Sequence, residues 1–168
     1  MPQRFIDTFL DPQTVEATIE WVKQVRSMKD AYQVTDQKYD RHATSWSVSL
    51  MGRLGEVVAQ QVLGGTLDDS ITPEGDDGSD LLRSGERWQI KTSTRNTLIF
   101  NSLNAFNADK AVLVQLCGNR LLPDAPNTRW RIWGTVERQR FTEQHELHNY
   151  GYGTRLIMHA TRLDRIEL

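Results

Sequence analysis

Apolar residues recur along this chain with two different periods, and the switches between them mark out its elements. Val15, Ile19, Val22 and Val25 fall at helical spacing behind Asp11-Pro12, an N-cap followed by proline at the first helical position, which predicts an amphipathic helix over about Pro12 to Met28. A second helix is expected from Thr44 or Ser45 to the paired glycines Gly64-Gly65, with Leu50, Leu54, Val57, Val58 and Val62 as its apolar stripe. On a different side of that helix Gly52, Gly55 and Ala59 line up with almost no side-chain bulk, which leaves room for a sheet to approach. Glu56 stands at the rim of that side. Asp30 to Thr44, between the two helices, is polar without a clear period and reads as a surface connection.

Past Gly65 the period becomes that of strands. Leu67 to Thr72 is expected to form a short strand, Pro73 to Gly78 a turn-rich loop, and Ser84-Gly85-Glu86 a hairpin turn. In Trp88-Gln89-Ile90-Lys91-Thr92 apolar and polar residues alternate, so Trp88 and Ile90 are expected in the core while Gln89 and Lys91 share the opposite face. Leu98-Ile99-Phe100 precedes a weakly helical polar segment running to Asn107. Ala111 to Cys117 is a continuous apolar run, as expected of a central strand covered on both faces. Asn119 to Asn127, with Pro123 and Pro126, reads as a loop, and Thr128 to Val136 as an alternating strand. Glu137 to Leu147 reads as a short helix, Tyr150 to Gly153 as a turn, and Arg155 to Ala160 as the last strand. The expected architecture is α/β, a central mixed β-sheet flanked by helices, in a single domain over 1–168.

Composition narrows the class without changing this picture. In 168 residues, 38% are hydrophobic and 25% charged, ordinary for a globular domain, and Cys117, the one cysteine, has no partner for an internal disulfide. It is expected in the core of its strand. No apolar run approaches the roughly 18 to 20 residues needed to span a bilayer, and the first residues lack the apolar stretch of a signal peptide, so a cytoplasmic location is expected. The net charge of −2 argues against a protein that coats nucleic acid non-specifically. It leaves room for an enzyme that gathers carboxylates around cations.

Candidate chemistry concentrates between Glu74 and Ser93. Antiparallel pairing about the Ser84-Gly85-Glu86 turn would bring Asp80 back beside the far end of the lysine strand, so that a carboxylate, an amide oxygen and an ammonium converge. Asp76 and Asp77 lack the alternate ligands of a helix-loop-helix calcium loop and read as solvated turn formers. The alternative for Gln89 and Lys91 is an ordinary half-exposed strand face, and for Glu56 a solvated helix residue.

Asp80, eight intervening residues, then Gln89-x-Lys91 resembles the PD-(D/E)XK nuclease superfamily in a QxK variant, and Arg53-Leu54-Gly55-Glu56 resembles the upstream helical glutamate that many of its members carry. The similar region runs from about Ser45 to Gly118. The resemblance implies a restriction-endonuclease-like fold and metal-dependent hydrolysis of phosphodiester bonds in nucleic acid, DNA first, by an endonuclease using Mg²⁺ or Mn²⁺. It implies Asp80 as central metal ligand, Glu56 as auxiliary ligand, the Ile90 carbonyl as a further ligand, and Lys91 as the group orienting the attacking water. Gln89 departs from the pattern, since an amide oxygen can coordinate a hard cation but brings no charge, so metal is expected to bind less tightly than with Glu there. A homodimer is also implied.

The second reading is a catalytically weak or inactive module of the same fold that binds nucleic acid or a protein partner. Thr92, Ser93, Arg95, Arg129 and Arg131 are candidates for contact with nucleic acid, as are Arg138 and Arg140, against the alternative of a solvated charged surface. Trp130 and Trp133 fall on opposite strand faces, so one is a candidate for base stacking, with core packing the default. His145 and His148 lack further ligands at zinc spacing and read as surface residues.

Overall fold

The computed structural model describes residues 4–31, 44–70 and 79–168. Two helices follow a short first strand, each with a side-chain cap. The Asp11 carboxylate accepts from the Thr14 N–H at 2.8 Å and starts α1 (Pro12–Ala31), three residues longer than the apolar stripe required. Thr44 and Ser47 cap α2 (Ser45–Leu63) reciprocally, and Gly64, with φ of +72°, ends it in a conformation that side chains disfavour.

A six-stranded mixed sheet carries the domain, in the order β1 (Ile6–Thr8), β7 (Arg129–Glu137), β6 (Lys110–Cys117), β4 (Glu86–Ser93), β3 (Leu81–Arg83), β2 (Thr66–Leu67). Only β4 and β6 pair in parallel. A second sheet of three strands has the order β5 (Thr97–Phe100), β9 (Thr154–His159), β8 (Glu146–Asn149). The expected α/β architecture, a mixed sheet flanked by helices, is therefore observed.

Two cores lie on opposite faces of the large sheet. Trp88 and Ile90 of β4 and Val112, Val114 and Leu116 of β6 pack with Val22, Leu50, Leu54 and Val58 of the helices. Ala111 and Leu113, from the other face of β6, join Leu98, Phe100, Met158 and Phe141 under the small sheet and α3 (Arg138–Gln144). Phe100 stacks on Phe106 with centroids 4.7 Å apart, and Phe141 meets both edge-on. In β7 a bulge at Trp133, where pairing steps from Leu113↔Gly134 to Val114↔Ile132, lets one strand supply Ile132 to the first core and Val136 to the second.

Several expected boundaries move. Glu137–Leu147 is not one helix: α3 stops at Gln144 and β8 begins at Glu146, because that stretch can pair with β9 as an edge strand. The expected strand Leu67–Thr72 is limited to Thr66–Leu67 among the described residues, and the weakly helical segment contains one 3-10 turn, Leu103–Ala105. Strand β1, unmarked by any period, pairs with β7 through Ile6↔Ile132. Most of the 30–44 connection and all of the 73–78 loop, with Asp76 and Asp77, lie outside the described residues.

The tightest contact between layers is α2 on β4. A Cβ added at Gly55 would lie 1.9 Å from Thr92 Oγ1, whereas one at Gly52 meets nothing within 4 Å. The small-residue side thus admits the sheet at Gly55 and the buried Ala59, while Gly52 faces open space. Gly→Ala in a helix gains up to about 1 kcal/mol, but overpacking costs about 1–3 kcal/mol. In urea unfolding Gly52→Ala should therefore raise the midpoint and Gly55→Ala lower it, and equal shifts in one direction would contradict this packing.

Candidate functional site

Strand β4 has β3 on one side and β6 on the other, and it is covered on both faces. Gln89 is accordingly buried at 6% exposure, which sets aside, for this residue, the alternative of an ordinary half-exposed strand face. Alternation reports chemistry, not coverage, and the second layer that closes over Gln89 comes from residues outside β4. The Gln89 Nε2 donates to the Ala105 carbonyl at 2.9 Å, and since a carbonyl can only accept, the amide is oriented with its oxygen turned elsewhere. That Oε1 is buried with no hydrogen-bond partner among the described residues. Lys91 shares the face, with its Nζ 4.8 Å from the Phe100 ring centroid.

Asp80 ends the β3 ladder. Its N–H donates to the Trp88 carbonyl at 3.0 Å and its carbonyl accepts from the Asp68 N–H at 3.0 Å. Its carboxylate then replaces the backbone as partner of β4, accepting from the Ile90 N–H at 2.6 Å. The carboxylate meets the strand at the residue between Gln89 and Lys91. Because the N–H and C=O of one strand residue point to the same side, the Ile90 carbonyl faces the edge that Asp80 occupies.

Glu56 follows the contact residue Gly55 but is held by a neighbour that the sequence reading did not single out. Arg53, buried at 6% exposure, donates to Glu56 Oε2 at 2.8 Å and to the Asp68 carbonyl at 3.0 Å, pairs with Asp69, and lies over Trp21 at 3.8 Å. Glu56 is thereby tied to Asp80 through Arg53 and the Asp68 backbone. The signal was present, since Arg53 and Glu56 stand at i,i+3 on a helix. These residues border a groove with Trp21, Lys29 and Ser70. Among the described residues no group of three or more His, Cys, Asp or Glu side chains is placed to hold a metal ion, so Asp80, Gln89, Ile90 and Lys91 gather on one stretch of sheet with Glu56 joined indirectly. No described helix is long and apolar enough to cross a membrane.

Other candidates disperse. Thr92 turns toward Gly55, with its Oγ1 buried and unpartnered among the described residues, and Ser93 Oγ accepts from the Arg95 N–H at 2.9 Å. Arg131 makes two hydrogen bonds to Asp7 of 2.7 and 2.9 Å and lies over the Phe5 ring at 3.4 Å, so its guanidinium is engaged within the domain. Arg129 is exposed and 3.9 Å from the same carboxylate, and Arg140 pairs with Asp164 at 2.6 Å. Trp130 is core at 1% exposure, and Trp133 donates from Nε1 to Gln115 Oε1 at 2.7 Å. His145 closes α3 and His148 lies in β8, so the two share no helix face. Cys117 is only partly buried at its strand end.

The chain is thus an α/β domain whose most concentrated polar chemistry lies on β4 and the strand end beside it. No family model, curated protein or solved structure matches it.

The hydrogen bond from Arg131 holds the Asp7 carboxyl below its usual range. A depressed folded pKa contributes stability above the unfolded value, near 4, that is lost as pH falls through the folded pKa. Melting curves of the parent and Asp7→Asn should differ most at neutral pH and converge below about pH 4. A constant difference across that range would contradict the assignment.

Proposed function

We propose that the chain is a metal-dependent nuclease of the PD-(D/E)XK kind, hydrolysing phosphodiester bonds in nucleic acid, DNA first. One observation carries the reading. Gln89 Oε1 is buried with no hydrogen-bond partner among the described residues, and a buried acceptor left open is a costly feature that a bound group would offset. Asp80 and Ile90, the other strand-borne ligands that the resemblance implies, meet beside Gln89.

The donors fit Mg²⁺ or Mn²⁺ in kind, being carboxylate, amide and backbone oxygens without sulfur or imidazole. Asp80, the Gln89 Oε1 and the Ile90 carbonyl would hold the ion, with Glu56 as auxiliary ligand released in part from Arg53. When bound, the cation supplies charge against the phosphoryl oxygens and lowers the pKa of attached water. Lys91 orients the attacking water and stabilises developing charge, and the aromatic layer over β4 strengthens its field by excluding solvent. Asp80, hydrogen-bonded to Ile90, is preorganised at the strand edge.

A second reading, a catalytically weak nuclease-fold module that binds nucleic acid or a protein partner, is favoured by the Arg53–Glu56 pair and by the uncharged amide at position 89. Supercoiled plasmid, single-stranded DNA and RNA incubated with Mg²⁺ or Mn²⁺ separate the two. Cleavage by the parent that falls about a hundredfold or more in Asp80→Ala and Lys91→Ala supports the nuclease. Equal cleavage by those variants would sink it, and binding without cleavage would favour the second reading.

Metal placement has a readout apart from activity. Gln89→Glu removes the donor to Ala105 and buries a carboxylate, so without divalent metal it should be less stable by about 1–3 kcal/mol. Mg²⁺ should then raise its melting temperature more than that of the parent. No response to Mg²⁺ in either protein would remove Gln89 from the ligand set.

A further inference from the structure

We propose that the β8–β9 hairpin, together with Arg95 at the end of β4, is a platform for single-stranded nucleic acid, stacking bases on Tyr150 and Tyr152 and holding phosphate on Arg95. This deepens the nuclease reading by naming the substrate form, and it also stands as a binding site without catalysis.

In this hairpin Tyr152 is exposed and Tyr150 half-buried. Tyr152 is 43% exposed, and every residue of the edge strand β8 is exposed. Tyr150 and Tyr152 lie nearly parallel, 14° apart with centroids separated by 6.1 Å, and His148 meets Tyr150 edge-on at 4.3 Å. Neither tyrosine belongs to the two hydrophobic cores. The backbone that displays them is specialised as well. Gly151 and Gly153, on either side of Tyr152, have φ of +91° and +119°, conformations that side chains rarely adopt. The Gly151 N–H is fixed by Asn149 Oδ1 at 2.8 Å.

Cations are interleaved with the rings. The Arg95 guanidinium lies 4.6 Å from the Tyr150 centroid and that of Arg155 lies 5.4 Å from Tyr152. The turn carrying Arg95 is braced at three successive residues. Ser93 Oγ accepts from the Arg95 N–H, the Thr94 carbonyl accepts from Gln115 Nε2, and the Asn96 carbonyl accepts from the Ala160 N–H at 2.9 Å. Arg95, Arg120 and Tyr152 also line one groove of about 150 Å³ with Thr92 and Thr94, which begins one residue beyond Lys91 on the same strand.

Cationic side chains beside exposed aromatic faces match a chain of phosphates and flat bases. A single strand is favoured over a duplex because duplex bases are already stacked on one another and offer no face to a tyrosine. An acidic peptide would satisfy the arginines but leave the rings unused.

The test is fluorescence anisotropy of labelled single-stranded DNA, the same sequence as duplex, and an acidic peptide, with the full chain in EDTA so that nothing is cleaved. The parent should bind the single strand at least about tenfold more tightly than the duplex, and Tyr152→Ala should weaken that binding roughly tenfold while Tyr152→Phe retains it. Arg95→Ala should lower the salt dependence of single-strand binding by about 0.7 in log–log slope. Lys23→Ala, on the exposed side of α1 and outside the groove, should bind as the parent does, which separates this site from general surface charge. Equal affinity for duplex or acidic peptide, or parent-like binding by both Tyr152→Ala and Arg95→Ala with unchanged melting curves, would overturn the platform. If the binding pattern holds while Mg²⁺ yields no cleavage, the nuclease reading fails alone.

Discussion

The contact between Gly55 of α2 and Thr92 of β4 sets the spacing on which the rest of the structure depends. With no side chain at position 55, the helix seats directly on the strand, and the helix-side core closes around Leu54, Val58, Trp88 and Ile90. Close seating fixes more than packing. It sets the height of Glu56 and Arg53 above the sheet, and Arg53 in turn reaches the backbone of Asp68, whose N–H is bonded to Asp80. One small residue therefore positions both acidic candidates relative to the strand between them.

Strand β4 carries an unusual polar load for a strand covered on both faces. Leaving a buried donor or acceptor unmade costs about 1–3 kcal/mol, a large fraction of the stability of a domain this size, and β4 holds three such atoms. Gln89 meets part of its demand through Ala105, which fixes the amide without satisfying its oxygen. Its apolar surroundings raise the strength of any electrostatic interaction made there and also raise the cost of making none. An apolar side chain at position 89 would avoid that cost but would take away the donor that the Ala105 carbonyl accepts from.

How far the sequence was legible depended on whether the decisive neighbour was local. Asp11 and Thr44 announced both helix starts because capping acts over three residues. Gly55 and Ala59 announced a close approach because helical period places them on one side. Ala111 to Cys117 read as central because a run with Gln115 as its one polar side chain needs cover on both faces. What could not be read was long-range. The burial of Gln89 depends on Ala105, the fate of Arg131 on Asp7 at the other end of the chain, and the pairing of β8 on β9 beyond a glycine-rich turn. The hairpin register placed Asp80 beside β4 correctly, but its carboxylate meets the backbone of Ile90 where convergence with the lysine end was expected.

The same locality explains why the candidate centre and the hairpin platform belong together. At about 3.3 Å per strand residue, Lys91 and Arg95 stand roughly 13 Å apart along β4 and the turn that follows it. Between them, Ser93 and Thr94 spend their polar groups on bracing that turn, while Gln115 links it to β6 and to Trp133 of β7. Motion of Arg95 relative to Lys91 would have to break those bonds. The proposed platform and the proposed catalytic lysine are therefore held at a spacing set by the central sheet.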